Sequence, residues 1–135
     1  QIKYFTRNSA YSDGSYEGEI TYLGSSGTTA GLAYVWNGTS WVQGNSGAAA
    51  TIKGIVGIAL GTNSGTDGML IRGYAESSVG YGGFTAGEHL YFSSTGGNLT
   101  TTAPSTTGQF VRTVGYAAGN NQIFIEPSSD YYENT

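Results

Sequence analysis

The chain contains no cysteine. That removes a disulfide framework and any thiolate metal centre, and it is compatible with any compartment. It has a single histidine, so a histidine-built metal triad or a Ser/His relay has almost nothing to draw on. Charged residues make up 10% of the chain, far below the ~25% of typical soluble domains. The net charge of −4 argues against a nucleic-acid-binding surface. No apolar stretch approaches the ~20 residues of a membrane-spanning helix, so no membrane partner is expected. No secretory or basic transit pattern opens the sequence. It begins with Gln1 rather than Met, and the numbering is expected to start inside a longer product or after processing.

What fills the space is glycine, serine, threonine and aromatic rings: 23 Gly, 11 Tyr, 5 Phe and 2 Trp. A chain this poor in charge and this rich in rings and apolar runs is expected to fold. Its 135 residues suffice for one domain without staples. The runs are short, rich in Val, Ile, Thr, Tyr and Phe, and bounded by glycine, as half-buried strands are. They include EGEITYLG (17–24), GLAYVW (31–36), SWVQG (40–44), IKGIVGIALG (52–61), GMLIRGYAE (68–76), HLYFSS (89–94), NLTTT (98–102), QFVRTVGYAAG (109–119) and QIFIEP (122–127). In QFVRTVGY, alternation predicts Phe110, Arg112 and Val114 on one face, with Val111, Thr113 and Gly115 on the other. Asn37-Gly38 between Trp36 and Trp41 predicts a tight hairpin, Gly96-Gly97 a second, and Asp67-Gly68 a turn. The fold class that follows is all-β.

The segments also repeat. Val56–Gly61 reads VGIALG and Val114–Gly119 reads VGYAAG, 58 positions apart. Thr29-Ala30-Gly31 and Thr85-Ala86-Gly87 lie 56 positions apart. Each T-A-G leads into an aromatic strand, a glycine turn, a polar return strand, the V-G-x-A-x-G segment and a last apolar strand. Two units, about 28–73 and 84–127, predict a compact β-sandwich or small barrel with internal two-fold duplication, since two copies are too few for a solenoid. Gly31 and Gly87 are expected at positive φ. The bare side of V-G-x-A-x-G suits a bend or the close approach of another strand. Residues 1–17 are expected to be an N-terminal arm, 18–127 the domain, and 128–135 a polar tail.

Catalytic chemistry is hard to find. His89 stands beside Glu88, but strand neighbours point to opposite faces, so His89 reads as a surface residue. The loop TNSGTDG (62–68) has too few acids for calcium and lacks the lysine of a phosphate loop. The GYGG spacing at 80–83 precedes no helix. Asn37-Gly38-Thr39 and Asn98-Leu99-Thr100 fit the glycosylation triplet, yet each falls at a predicted turn. No catalytic residue, cofactor or metal is expected. Trp36, Trp41, Tyr81 and Phe84 are candidates for a sugar-stacking platform, with Trp36 and Trp41 its centre, although packing across their hairpin accounts for both rings.

The stretch TAGEHLYFSSTGGNLTTTAPSTTGQFVRTVGYAAGNNQIFIEP resembles a recurrent bacteriophage virion module. Its pattern is T-A-G-(D/E)-x-L-Y, a glycine turn before L-T-T-T-A-P-S, a V-R-V-V-G-Y strand and a closing I-x-F-x-P. GIVGIALGTNSGTDGMLIRGYAE resembles the module's first half, so the resemblance runs from about Gly18 to Pro127. It is similar to capsid cement (decoration) proteins and to the ends of marine phage structural and fibre proteins. The resemblance implies a non-enzymatic virion protein on the outer surface of the particle, forming a homotrimer and binding the major capsid protein or other virion proteins. A fibre or tail module, a carbohydrate-binding adhesin of host surface glycans and a surface-filament subunit are the alternatives. Scarce charge and only two prolines leave strand edges little protection of their own. Contacts between sister subunits are therefore expected through Tyr4, Phe5, Tyr11 and Tyr16 in the arm, with Tyr131 and Tyr132 in the tail.

Overall fold

The computed structural model describes residues 14–77, 81 and 83–135. These residues contain no α-helix. They form β1 (Tyr16–Thr21), β2 (Ala33–Trp36), β3 (Trp41–Gln43), a 3-10 turn at Ala49–Thr51, β4 (Val56–Ala59), β5 (Met69–Glu76), β6 (His89–Phe92), β7 (Leu99–Thr100), β8 (Phe110–Val111), β9 (Thr113–Gly119), β10 (Gln122–Ile125) and β11 (Tyr132–Glu133). The all-β expectation holds. Both hairpins fall where the glycines place them, with Gly38 and Gly97 at φ +100° and +81°.

Nine strands form one curled antiparallel sheet in the order β3-β2-β4-β5-β10-β9-β6-β7, with β1 alongside β5. Strand β5 is where it forks. Met69 and Leu70 pair with β4, Gly73–Glu76 pair with β10, and β1 runs along the strand from Thr21↔Met69 to Tyr16↔Ala75. The two arms fold over each other and are joined again where Gly97 N–H donates to the Gly44 carbonyl (2.9 Å) and Ala33 N–H to the Gly97 carbonyl (2.8 Å). Strands β8 and β11 form a separate two-stranded sheet.

The strand order is a palindrome of the repeat: β3-β2-β4-β5 is mirrored by β7-β6-β9-β10. The correspondence extends to single hydrogen bonds. Gly31 N–H donates to the Ala59 carbonyl (2.8 Å) and Gly87 N–H to that of Ala117 (2.7 Å). Ala59 N–H donates to Leu32 and Ala117 N–H to Glu88. Ala33↔Ile58 corresponds to His89↔Tyr116, and Trp36↔Trp41 to Phe92↔Leu99. Gly31 and Gly87 stand at φ +90° and +96°, as the T-A-G turns require. The change of shift from 56 to 58 is located in the hairpins. The first turn is closed by Asn37 N–H to the Ser40 carbonyl, the second by Ser93 N–H to that of Asn98.

Many equivalent positions do not face the same way, although Val56 and Val114 both reach the main core. The main core takes Ala33, Val35, Ile58 and Leu70 from the first unit, but Leu90, Phe92, Ala117 and Ile123 from the second. By register, the second unit's counterparts of Ala33, Val35, Ile58 and Leu70 are His89, Tyr91, Tyr116 and Phe124, and these lie on its outer side. The first unit's outer side, with Tyr34, Trp41, Ala59 and Met69, forms a second core under Leu23, Leu32 and Trp36. The reversal has a local cause in β5. The register with β1 slips between Glu19↔Arg72 and Ile20↔Leu70, leaving Ile71 as an extra residue. Leu70 and Ala75, an odd number of residues apart, therefore both reach the main core, which a regular strand forbids.

Beside the bulge, β1 and β5 touch through glycine. A Cβ on Gly73 would lie 2.2 Å from the Glu17 carbonyl oxygen, and one on Gly18 would lie 2.1 Å from that of Arg72. Gly115 of VGYAAG meets the Phe124 carbonyl oxygen in the same way, at 2.1 Å. The close approach expected of that motif is realised there.

One expected strand is divided. QFVRTVGY breaks at Arg112, and Val111 and Val114 are both buried although the alternation set them on opposite faces. Arg112 leaves the strand pattern because its guanidinium turns inward. Nε donates to the Ser128 carbonyl, and Nη1 donates to the carbonyls of Ile52 and Gly54, each at 2.7 Å.

Candidate functional site

The outer face of the second unit carries a row of side chains at right angles to the strands. Directly paired residues share a face, and the registers give Glu17↔Tyr74, Tyr74↔Phe124, Phe124↔Tyr116 and Tyr116↔His89. The ring centroids of Tyr74 and Phe124 are 4.8 Å apart, and those of Tyr116 and His89 are 5.0 Å apart. Tyr91 continues the cluster along β6, 6.4 Å from His89. Tyr116 is 38% exposed and His89 is exposed, while Tyr74, Phe124 and Tyr91 are half-buried. The next row places Arg72 between Glu19, its partner on β1, and Glu126, its ion-pair partner.

A cavity of about 280 Å³ lies at the other side of β5, lined by Ser15, the turn Thr29–Gly31, Ile58–Leu60 and Ala75–Ser77 together with Tyr81. Two of its polar groups are committed. The Tyr81 hydroxyl donates to the Gly31 carbonyl (2.8 Å), and burial holds that phenol well above its usual pKa. The Glu76 carboxylate, 2% exposed, accepts from the Gln122 side-chain amide. The wall of the cavity is mostly apolar. Among the described residues no group of three or more His, Asp or Glu could hold a metal ion.

The residues singled out by the sequence fall as follows. Tyr4, Phe5 and Tyr11 lie outside the described residues. Tyr16 is the first residue of β1 and is exposed, so the strand begins inside the expected arm. Tyr131 and Tyr132 are exposed, but the tail is tied to its own chain. Tyr132 pairs with Val111, Asn134 N–H donates to the Gln109 carbonyl (2.8 Å), and Gly108 N–H donates to that of Asn134 (2.7 Å). Trp41 is 4% exposed, and its Nε1–H donates to the Leu23 carbonyl (2.9 Å). Trp36 packs against it at 5.6 Å and covers Gly24. The tryptophan hairpin thus builds the second core. Asp67 closes its loop by accepting from Thr62 and Asn63 N–H, as a turn does.

The aromatic row was not singled out from the sequence. Its signal was there in the repeat. Apolar Ile58 and Leu70 in the first unit align with Tyr116 and Phe124 in the second, and QIFIEP sets a ring between two isoleucines.

No family model, no curated protein and no solved structure matches this chain.

Proposed function

We propose that the chain is a non-enzymatic virion structural protein, an outer capsid decoration subunit that binds and stabilises a phage head. It works on the outside of the particle, with the major capsid protein and further copies of itself as partners. The aromatic row carries this reading: a ring cluster on a sheet face, with Tyr116 and His89 exposed, suits docking rather than chemistry. Low charge and committed cavity groups agree with it, as does the resemblance to virion modules. A fibre or tail module would use the same surface. Adding the purified chain to heads stripped of their outer proteins tests it. Saturable binding with a rise in the heads' thermal stability is expected, and no binding at saturating concentration would refute it.

The adhesin reading has less support. Trp41 offers no ring to solvent, and the rings of the outer row are tilted by 58° and 46°. That leaves no flat floor on which successive sugar rings could stack.

A further inference from the structure

We propose that Asn37 is a self-modifying site: the folded tryptophan hairpin converts its side-chain amide to a carboxylate through a cyclic imide formed with Gly38. The Gly38 nitrogen bonds to Asn37 Cγ, and the Cγ–Nδ2 bond breaks. The Gly38 N–H proton passes to solvent, and Nδ2 takes a proton from water and leaves as ammonia. Water then adds to one of the two imide carbonyls. Addition at Cγ gives aspartate. Addition at the Asn37 main-chain carbonyl gives isoaspartate, in which the chain continues through Cβ. Either way one ammonia is exchanged for one water, and no other reactant is needed.

The turn supplies what this reaction needs. Asn37 Oδ1 accepts from the N–H groups of Thr39 (2.9 Å) and Ser40 (2.8 Å). That oxygen carries the negative charge once the Gly38 nitrogen attacks, so two fixed donors already stand where the charge develops. The same two bonds fold the side chain back over its own peptide link, toward a near-attack arrangement. Among the described residues nothing accepts from the Gly38 N–H, and a glycine puts no side chain in the path of attack. Asn37 Nδ2 makes no bond to the described residues that its departure would break. Residues 37–39 are exposed, so water reaches the imide.

Two further asparagine turns show what is special here. Asn45 Oδ1 accepts from Gly47 N–H (2.7 Å) and Asn63 Oδ1 from Gly65 N–H (2.8 Å). In both, the following nitrogen is tied: Ser46 N–H donates to the Ser93 carbonyl and Ser64 N–H to that of Ser26, each at 3.0 Å. Both serines are fully buried. Both amides are held as well, Asn45 Nδ2 by the Ser94 carbonyl and Asn63 Nδ2 by Ser25 Oγ. The aspartate product suits the Asn37 turn, because a carboxylate accepts from the same two N–H groups more strongly than an amide oxygen does. It adds one negative charge to a chain at −4 and removes the Asn37-Gly38-Thr39 glycosylation triplet.

Peptide mapping by mass spectrometry tests this on the full, unaltered chain. One sample is held folded at neutral pH and physiological temperature, and a second is held unfolded in urea under otherwise equal conditions. In the folded sample Asn37 should exchange ammonia for water, giving aspartate and isoaspartate, at least about tenfold faster than Asn45 or Asn63. Its rate should be no lower folded than in urea, because the turn itself supplies the two donors. An Asn37 that keeps its amide, that converts no faster than Asn45 and Asn63, or that converts faster in urea than in the folded chain would overturn the proposal.

Discussion

Arg72 and Glu126 occupy the same position in the two units and face each other across the β5–β10 seam, with Nη2 3.5 Å from Oε2. The register runs from Gln122↔Glu76 to Ile125↔Gly73, and its next step is Glu126↔Arg72. The shift that takes Met69 to Ile123 also takes Arg72 to Glu126. This is where the dyad of the strand order crosses the sheet. Two identical units meeting there could only oppose like side chains. A fused pair can oppose unlike charges, and this chain does. Arg72→Glu should destabilise by about 1 kcal/mol, and adding Glu126→Arg should recover only part of it, because Glu19 still faces position 72 from β1. The coupling should stay below about 1 kcal/mol because both groups are 45–48% exposed. Urea denaturation of the four-member cycle measures it.

Gly73 should be among the least replaceable residues. It stands at φ +131°, and a Cβ would overlap the Glu17 carbonyl oxygen and the Gly18 Cα, both backbone atoms that cannot swing away. Gly73→Ala should cost at least about 3 kcal/mol, since strain at a forbidden backbone conformation adds to a steric clash. Gly83→Ala is a fair control: it is also at positive φ, but nothing lies within 4 Å of its added Cβ, and it should cost about 1 kcal/mol. Thermal unfolding of the two variants compares them directly.

Arg112 holds together three segments distant in sequence. Burial lowers its pKa, with Tyr131 acting in the opposite direction, yet a guanidinium remains charged at neutral pH. Arg112→Met should cost about 3 kcal/mol, because the carbonyls of Ile52, Gly54 and Ser128 lose their donor. Arg112→Lys should recover only part of this, since an ammonium cannot span the same fork. Hydrogen exchange should show protection lost first around residues 52–54 and 128.

Tyr81 gives the chain an alkaline limit. Below about pH 10 a phenol is neutral in the folded and unfolded states alike, and the stabilisation from its burial is present in full. Above that pH the unfolded chain loses the proton that the folded protein keeps, because burial raises the folded pKa. Stability therefore falls as pH rises beyond about 10. Tyr81→Phe should flatten this fall while costing about 1 kcal/mol at neutral pH through loss of the bond to Gly31. Urea midpoints for the two proteins at about pH 8 and pH 11 give the difference.

Much of this fold was legible before any coordinates. Glycine-bounded runs marked the strands, Asn37-Gly38 and Gly96-Gly97 marked the hairpins, and the spacing of T-A-G and V-G-x-A-x-G marked the two units. The direction each unit faces was not legible. Ile58 and Tyr116 hold the same backbone position, and both residue types suit a strand. Which side is buried depends on one extra residue at Ile71, and no pattern around it in GMLIRG announces a bulge. The division at Arg112 was hidden for a related reason. A charged residue in an apolar run reads as pointing outward, and only tertiary contact supplies the carbonyls that draw it in. The row across β1, β5, β10, β9 and β6 depends on register between segments far apart in sequence.

The two units share one backbone, yet at the pairs Ala33/His89 and Ile58/Tyr116 they bury opposite faces. The absence of cysteine makes this directly measurable. Single cysteines at the equivalent positions Ala33 and His89, and at Ile58 and Tyr116, report accessibility through their rate of reaction with a thiol reagent. His89→Cys and Tyr116→Cys should react at close to the rate of a free thiol, whereas Ala33→Cys and Ile58→Cys should react only as fast as the chain unfolds. Equal protection within each pair, or the reverse order, would contradict it.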